Sequence, residues 1–553
     1  MLLVQALSHV VDLWVEGTLS MLPSELLREK VVVVLFEAMV RTLHAQMKDG
    51  SWNKSAEVTA YAVLTINAIM ALPVFRPILL RISLALKDAC NFIQREFSNG
   101  ADLSFLWIEK VTYSSSTVSK AYLLAALNKA PKIFADTGRL SELFEGLLVD
   151  TSKPLLFFKQ LPMFAATPEW CLQASLMQGA FYSTNLEKAL NQIFGQRVNR
   201  KAKHLKFIPF TWIGVNDALG TALSYDILLE MMVVSAVAFD VDFIMESDVA
   251  SMSEYGRSLI KTAIVDIFED TRAELETYTT SFQDQVSGGL PHRISPETTS
   301  NSNRIAAEHG DINNIHLHHE IFQIASKLER FVNYFLSHDM VQKASLNDHT
   351  QLQNALREYL LAHLTQIEDN DKLHSNAHGH IDANRKTFQT RTSFHRWIRT
   401  TSGNHTAGPF AFSFFLCLMS PKLGGDCLNS VGEKYVGEDV SRHLASMCRL
   451  YNDWGSVSRD RKEDNLNSIQ FPEFSGGSPE STSDEVLKDM LFDLAEYERS
   501  RYEAAMIALQ KITTGNLFNA LKVFGGAADM YGQIYVLKDM TPGIERSVEG
   551  FIY

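Results

Sequence analysis

The chain has 553 residues, 46% of them hydrophobic and 21% charged, which is too long for one ordinary core and predicts two domains of unequal size. Its 64 acidic residues outnumber 51 basic ones for a net charge of −13, so no broad basic face for nucleic acid is expected. Any anion must be met by a local cluster or through metal ions. Five scattered cysteines (Cys90, Cys171, Cys417, Cys427, Cys448) form no CxxC pair, which suits a reducing, cytoplasmic setting without structural zinc.

Near the start, "VVDLWVEGTLSMLPSELL" carries acids and a proline where a signal peptide needs a basic flank. Apolar residues at three- and four-residue spacing predict helices over Leu26–Gln46, Ala56–Leu72, Ile78–Phe97, Thr117–Asn128, Leu223–Ser247 and Tyr255–Thr280. The same spacing predicts helices over Ile315–Ser337, Leu352–Glu368, Gly432–Leu450 and Glu485–Thr514. Strand signals are scarce, so the fold class is all-α. Gln46, Asp49, Gly50, Ser51 and Trp52 read as a helix-to-helix staple without chemistry. Glu57 and Thr59 inside the next apolar window, and Pro73 after it, argue for a buried helix and against membrane insertion. A change of character at the basic "GQRVNRKAKHLK" puts the domain boundary between 190 and 191, giving domains 1–190 and 191–553. The stretches 285–304 and 475–485, rich in Gly, Ser, Pro and Thr, read as surface loops.

Four places carry candidate chemistry. In "VAFDVDFIMESD", Asp242 and Glu246 stand four apart and share a helical face, with Asp240 set back as a supporting acid. The alternative is that both merely edge the solvent. In "FHRWIRTTSGNHTAGPFAFSFFLCLMS", Arg399 precedes a small-residue break at Ser402 and Gly403, which can loosen the helix. Phe410, Phe412, Phe414 and Phe415 after it are core by default, or rings that stabilise a cation. In "YNDWGSVSRDRKEDNLNSIQFPEF", Asn452, Ser456 and Asp460 recur every four residues beside Arg459, Arg461 and Lys462. Such oxygens suit Mg²⁺, and Arg459 and Lys462 suit phosphate oxygens; a hydrophilic helix end is the other reading. Finally, "HLHHE" at 316–320 splits His316 and His318 between helix faces and reads as a solvated loop-edge cluster. Cys417 and Cys448 read as core. No Walker loop, GxGxxG or GxSxG is present.

"DGSW" with "EVTAYAVLTI" resembles the second helical domain of labdane-related diterpene cyclases. "KHLKFIPFTW", "DVDFIME", "RTTSGNHTAGPFAF" and the 452–474 stretch resemble the class I domain of fungal bifunctional diterpene synthases, the copalyl diphosphate/ent-kaurene synthase type. The resemblance implies a class I helical bundle preceded by part of the class II-type helical domain. It implies three Mg²⁺ ions held by Asp242 and Glu246 on one helix and Asn452, Ser456 and Asp460 on another. It further implies that Arg399 senses the substrate diphosphate, with Arg459 and Lys462 beside it, and that Gly403 turns its carbonyl to the forming cation. Phe243 stands where a second acid is usual, and Asp460 where glutamate is commoner. No DxDD acid motif occurs, which implies that the class II half is missing. The expected function is ionisation of a C20 prenyl diphosphate, copalyl-type preferred, to a cyclic diterpene. The alternatives are direct cyclisation of geranylgeranyl diphosphate, a piece of a bifunctional cyclase, or an inactive remnant.

Overall fold

A computed structural model describes residues 1–98, 106–108, 111–113, 115–134, 138–195, 205, 207–221, 223–269, 312–375, 392–463, 465–474 and 483–537. The window over Tyr255–Thr280 is helical over 254–269; its remainder, the loop 285–304 and most of 475–485 lie outside the described residues. Among the described residues the protein is all-α, apart from a short antiparallel hairpin pairing Leu106–Ile108 with Val111–Tyr113. None of these helices is long and apolar enough to cross a membrane.

The chain divides into two compact units, one built from Met1–Asn185 with Ala202–Gly220 and the other from Leu186–Lys201 with Thr221–Ser547. In the first, α1 (Leu2–Val15), α2 (Val33–His44), α4 (Leu79–Ser98) and α5 (Ser116–Asn128) pack around α3 (Ala56–Ile69). Helix α3 is buried on almost every face, which its all-round apolar sequence requires. Ser55 caps it by accepting the Val58 N–H. The DGSW turn feeds into it. Asp49 Oδ1 accepts the Ser51 N–H at 3.0 Å and the Ser51 hydroxyl at 2.6 Å, while Trp52 Nε1 donates to the Thr42 carbonyl at 2.7 Å. Gly50 has φ +90, and a Cβ there would lie 2.5 Å from the Asp88 carbonyl oxygen. Only glycine fits that turn. The stretch is a staple between helices.

The second unit contains α6 (Tyr225–Phe243), α7 (Ile312–Leu336), α8 (Leu346–Ser375), α9 (Gly408–Leu423), α10 (Val431–Glu463), α11 (Asp484–Gln510) and α12 (Gly515–Leu537). Helix α10 packs against α11 and α12, and α8 against α9. Between α8 and α10 lies a broken segment, Phe394–Trp397, a π-turn at Ile398–Ser402 and a last turn at Gly403–His405. The break falls at Thr406, whose backbone is extended, a few residues after the expected Ser402–Gly403. Helix α10 runs far past the expected end at Leu450, so Asn452, Ser456 and Asp460 sit within a continuous helix. His318 and His319 are exposed on α7 and are helical, which corrects the loop-edge expectation; the side chain of His316 lies outside the described residues.

Candidate active site

Asp242 lies in the last turn of α6, which continues as a π-turn over Ile244–Val249 carrying Glu246. Such widened turns recur at functional sites because they shift side chains out of the regular helical stagger. The Tyr359 hydroxyl of α8 donates to Asp242 Oδ1 at 2.6 Å, and His363 Nε2, one turn on, is 3.3 Å from the same oxygen. His405 Nε2 stands 3.5 Å from Glu246 Oε1. Asp240, one face round, is buried at 1% exposure.

Glu246 is the open member, with 59% of its side chain exposed. Its carboxyl is nonetheless pushed up to about 7, first by the protein packed around it and then by the charge of Asp242. Three cations pull in the opposite direction when charged: His363, and Arg449 and Arg459 of α10. Helix α10 thus faces the acid pair electrostatically.

On α10 the expected residues divide. The Ser456 hydroxyl donates to Asp460 Oδ2 at 2.5 Å, and Asn467 Nδ2 donates to the same oxygen at 2.8 Å. Arg459 sits 3.3 Å from Asp460 Oδ1. Asn452 hydrogen-bonds Tyr535 of α12. Arg461 turns outward into a paired contact with Asp484 at 2.7 and 2.9 Å, and Lys462 is exposed. Asp453, not singled out in the sequence, is buried and braces the region. It pairs with Arg449 Nε at 2.8 Å and accepts the Ser468 hydroxyl at 2.5 Å.

Arg399 donates to the buried Glu498 of α11, which also meets His443 Nδ1 at 2.6 Å. The Gly403 carbonyl accepts the Thr406 hydroxyl at 2.7 Å, and a Cβ on Gly403 would lie 2.9 Å from the Ile398 carbonyl oxygen. About 180 Å³ of space opens beside Arg399 and Gly403, near Glu358, Asn404 and Phe412, less than the roughly 300 Å³ at which small-molecule pockets begin. The phenylalanine run is packed core. Phe410 meets Phe331, Phe335 and Tyr359 at 5.9, 5.6 and 4.8 Å between ring centroids, and Phe412 and Phe415 each meet Phe524 at 5.4 Å.

The chain is 32% identical over 567 residues to pimaradiene synthase of Emericella nidulans, covering 100% of this chain and 56% of that protein. The chain is a homologue of the fungal diterpene synthases. It is also 30% identical to the ent-kaur-16-ene synthase of Fusarium fujikuroi, over 99% of this chain and 55% of that protein. Against the phyllocladan-16-alpha-ol synthase of Phomopsis amygdali it is 30% identical, over 93% of this chain and 52% of that protein. It therefore spans about half the length of these fungal diterpene synthases. No protein-family model matches it.

In this diterpene synthase homologue, Tyr359, His363, His405 and Arg449 escaped the sequence reading. Tyr359 and His363 stand four apart in α8, as Asp242 of α6 and Glu246 of the π-turn after it do, but nothing in that spacing separates a site face from a core face. His405 lies inside "RTTSGNHTAGPFAF", between Gly403 and Phe410, with no spacing that marks it as a site residue.

Proposed function

We propose that the second unit is a class I diterpene synthase centre that ionises a C20 prenyl diphosphate and closes the carbocation to a cyclic diterpene plus diphosphate. A copalyl-type diphosphate is the preferred substrate. The observation that carries this reading is the crowding of Asp242 and Glu246 at the end of α6, within electrostatic reach of Arg449 and Arg459 on the helix that bears Asn452, Ser456 and Asp460.

The donor set fits Mg²⁺. Burial, and after it the charge of Asp242, raises the Glu246 carboxyl to about 7; the pair is a centre short of positive charge, and its oxygens are hard ligands. Asp242 and Glu246 would hold ions from α6, and Asn452, Ser456 and Asp460 from α10, the last two after parting their mutual hydrogen bond. Bound Mg²⁺ neutralises the charge that develops on a departing diphosphate. The side chains do the rest. Tyr359 fixes the orientation of Asp242. Arg459 and the exposed Lys462 offer donors to phosphate oxygens. Arg399 reaches the diphosphate by exchanging Glu498 for it. The packed rings around Phe410 would keep water from the cation.

Copalyl diphosphate and geranylgeranyl diphosphate are supplied separately to the purified chain with Mg²⁺, and hydrocarbons are identified by mass spectrometry. Product from the copalyl substrate is expected. Product from the linear substrate alone would overturn the substrate preference, and product from neither would overturn the enzyme reading.

A further inference from the structure

Beside the acid pair, Glu246 has neighbours that an all-oxygen magnesium centre does not require. One oxygen of Glu246 and one nitrogen each of His363 and His405 lie within 4.8 Å of one another. The two imidazole centroids are 4.0 Å apart, and the side chains are 1% and 9% exposed. His363 Nδ1 and Nε2 and His405 Nε2 have no hydrogen-bond partner among the described residues. His363 Nε2 and His405 Nε2 lie 3.3 and 3.5 Å from carboxylate oxygens of Asp242 and Glu246 without making a hydrogen bond, and a buried imidazole nitrogen left so is costly unless a ligand takes its lone pair.

We propose that Glu246, His363 and His405 form a mixed nitrogen–oxygen site for a borderline divalent metal such as Co²⁺ or Zn²⁺, held in preference to Mg²⁺. Imidazole is a ligand for these ions, whereas Mg²⁺ favours oxygen. The 3.5 Å between His405 Nε2 and Glu246 Oε1 matches the edge of a tetrahedron with bonds of about 2.1 Å, which is about 3.4 Å. Two histidines and one carboxylate leave further positions for water or a phosphate oxygen. The site shares Glu246 with the diphosphate reading but does not rest on it, and it is tested without any prenyl substrate.

Metal-free protein is titrated with Co²⁺ and, separately, with Mg²⁺, following visible absorption and bound metal. One Co²⁺ per chain is expected, bound at least 100-fold more tightly than Mg²⁺. His363→Gln and His405→Gln are each expected to weaken Co²⁺ at least tenfold while changing Mg²⁺ affinity less than threefold. The unaltered chain loaded with one equivalent of Cu²⁺ as a probe should show ¹⁴N modulation from coordinated imidazole in pulsed electron paramagnetic resonance, a readout that needs no variant to fold. Absence of that modulation, Co²⁺ affinity unchanged in both variants, or loss of Co²⁺ only on replacing the exposed His318 and His319, would overturn the proposal.

Discussion

A phenol hydroxyl 2.6 Å from Asp242 Oδ1 holds that carboxylate in one orientation. Burial and the Asp242 charge raise the Tyr359 pKa well above its ordinary value, so the hydroxyl remains a donor throughout the working range. Tyr359→Phe is expected to lower kcat/KM about 10- to 100-fold, the usual cost of an orienting partner, with the far-ultraviolet circular dichroism unchanged. Wild-type kinetics in the variant would remove Tyr359 from the account. In the first unit, Asp217 accepts the Ser175 hydroxyl at 2.7 Å, but burial pushes its carboxyl up from 3.8 to about 6. Between those values the folded chain binds more protons than the unfolded one. Stability from this group is therefore full below pH 3.8 and lost as pH rises through 6, by about 3 kcal/mol at most. Asp217→Asn should be more stable than wild type in urea at pH 8, and the gap should close by pH 4; a gap independent of pH would contradict this. At this scale the sequence reveals side chains whose chemistry is unusual for their setting, such as Asp242 on an apolar helix. It does not reveal Tyr359 or His363, whose importance comes from α8 lying beside α6.

Two of the candidate residues sit where a helix is interrupted, Glu246 in the π-turn Ile244–Val249 and Arg399 in the π-turn Ile398–Ser402. The second interruption is tied to α11 and α10 through Glu498, which is 5% exposed and meets both Arg399 and His443. Glu498→Ala should cost about 1–3 kcal/mol, because it leaves the half-buried Arg399 without its partner. Urea unfolding checks this, and a loss below about 1 kcal/mol would show that the pair is dispensable. Helices with one apolar stripe, such as α4 and α7, were legible from periodicity. Helix α9, buried along most of its length, was legible only as a run of core phenylalanines. Helix α12 contains Gly525, Gly526 and Gly532, which local propensity disfavours. Close packing explains two of them, because a Cβ on Gly525 would lie 1.8 Å from the Tyr502 hydroxyl and one on Gly532 2.8 Å from the Tyr451 ring.

For the whole molecule, composition and spacing were enough to foresee an all-α chain, and the quoted motifs were enough to foresee kinship with fungal diterpene synthases. The sequence boundary at 190/191 assigns 202–220 to the second domain, whereas that stretch groups with the first compact unit. A division by composition follows the order of residues; a compact unit follows contacts that cross that order. The central claim is that Asp242 works with the face of α10 to discharge a prenyl diphosphate. It is tested most directly by measuring Mg²⁺-dependent release of diphosphate from copalyl diphosphate by the intact chain and by Asp242→Ala. The account predicts steady release by the wild type and none above background in a variant of equal helicity. Equal release by both, or none by the folded wild type with Mg²⁺ present, would contradict it.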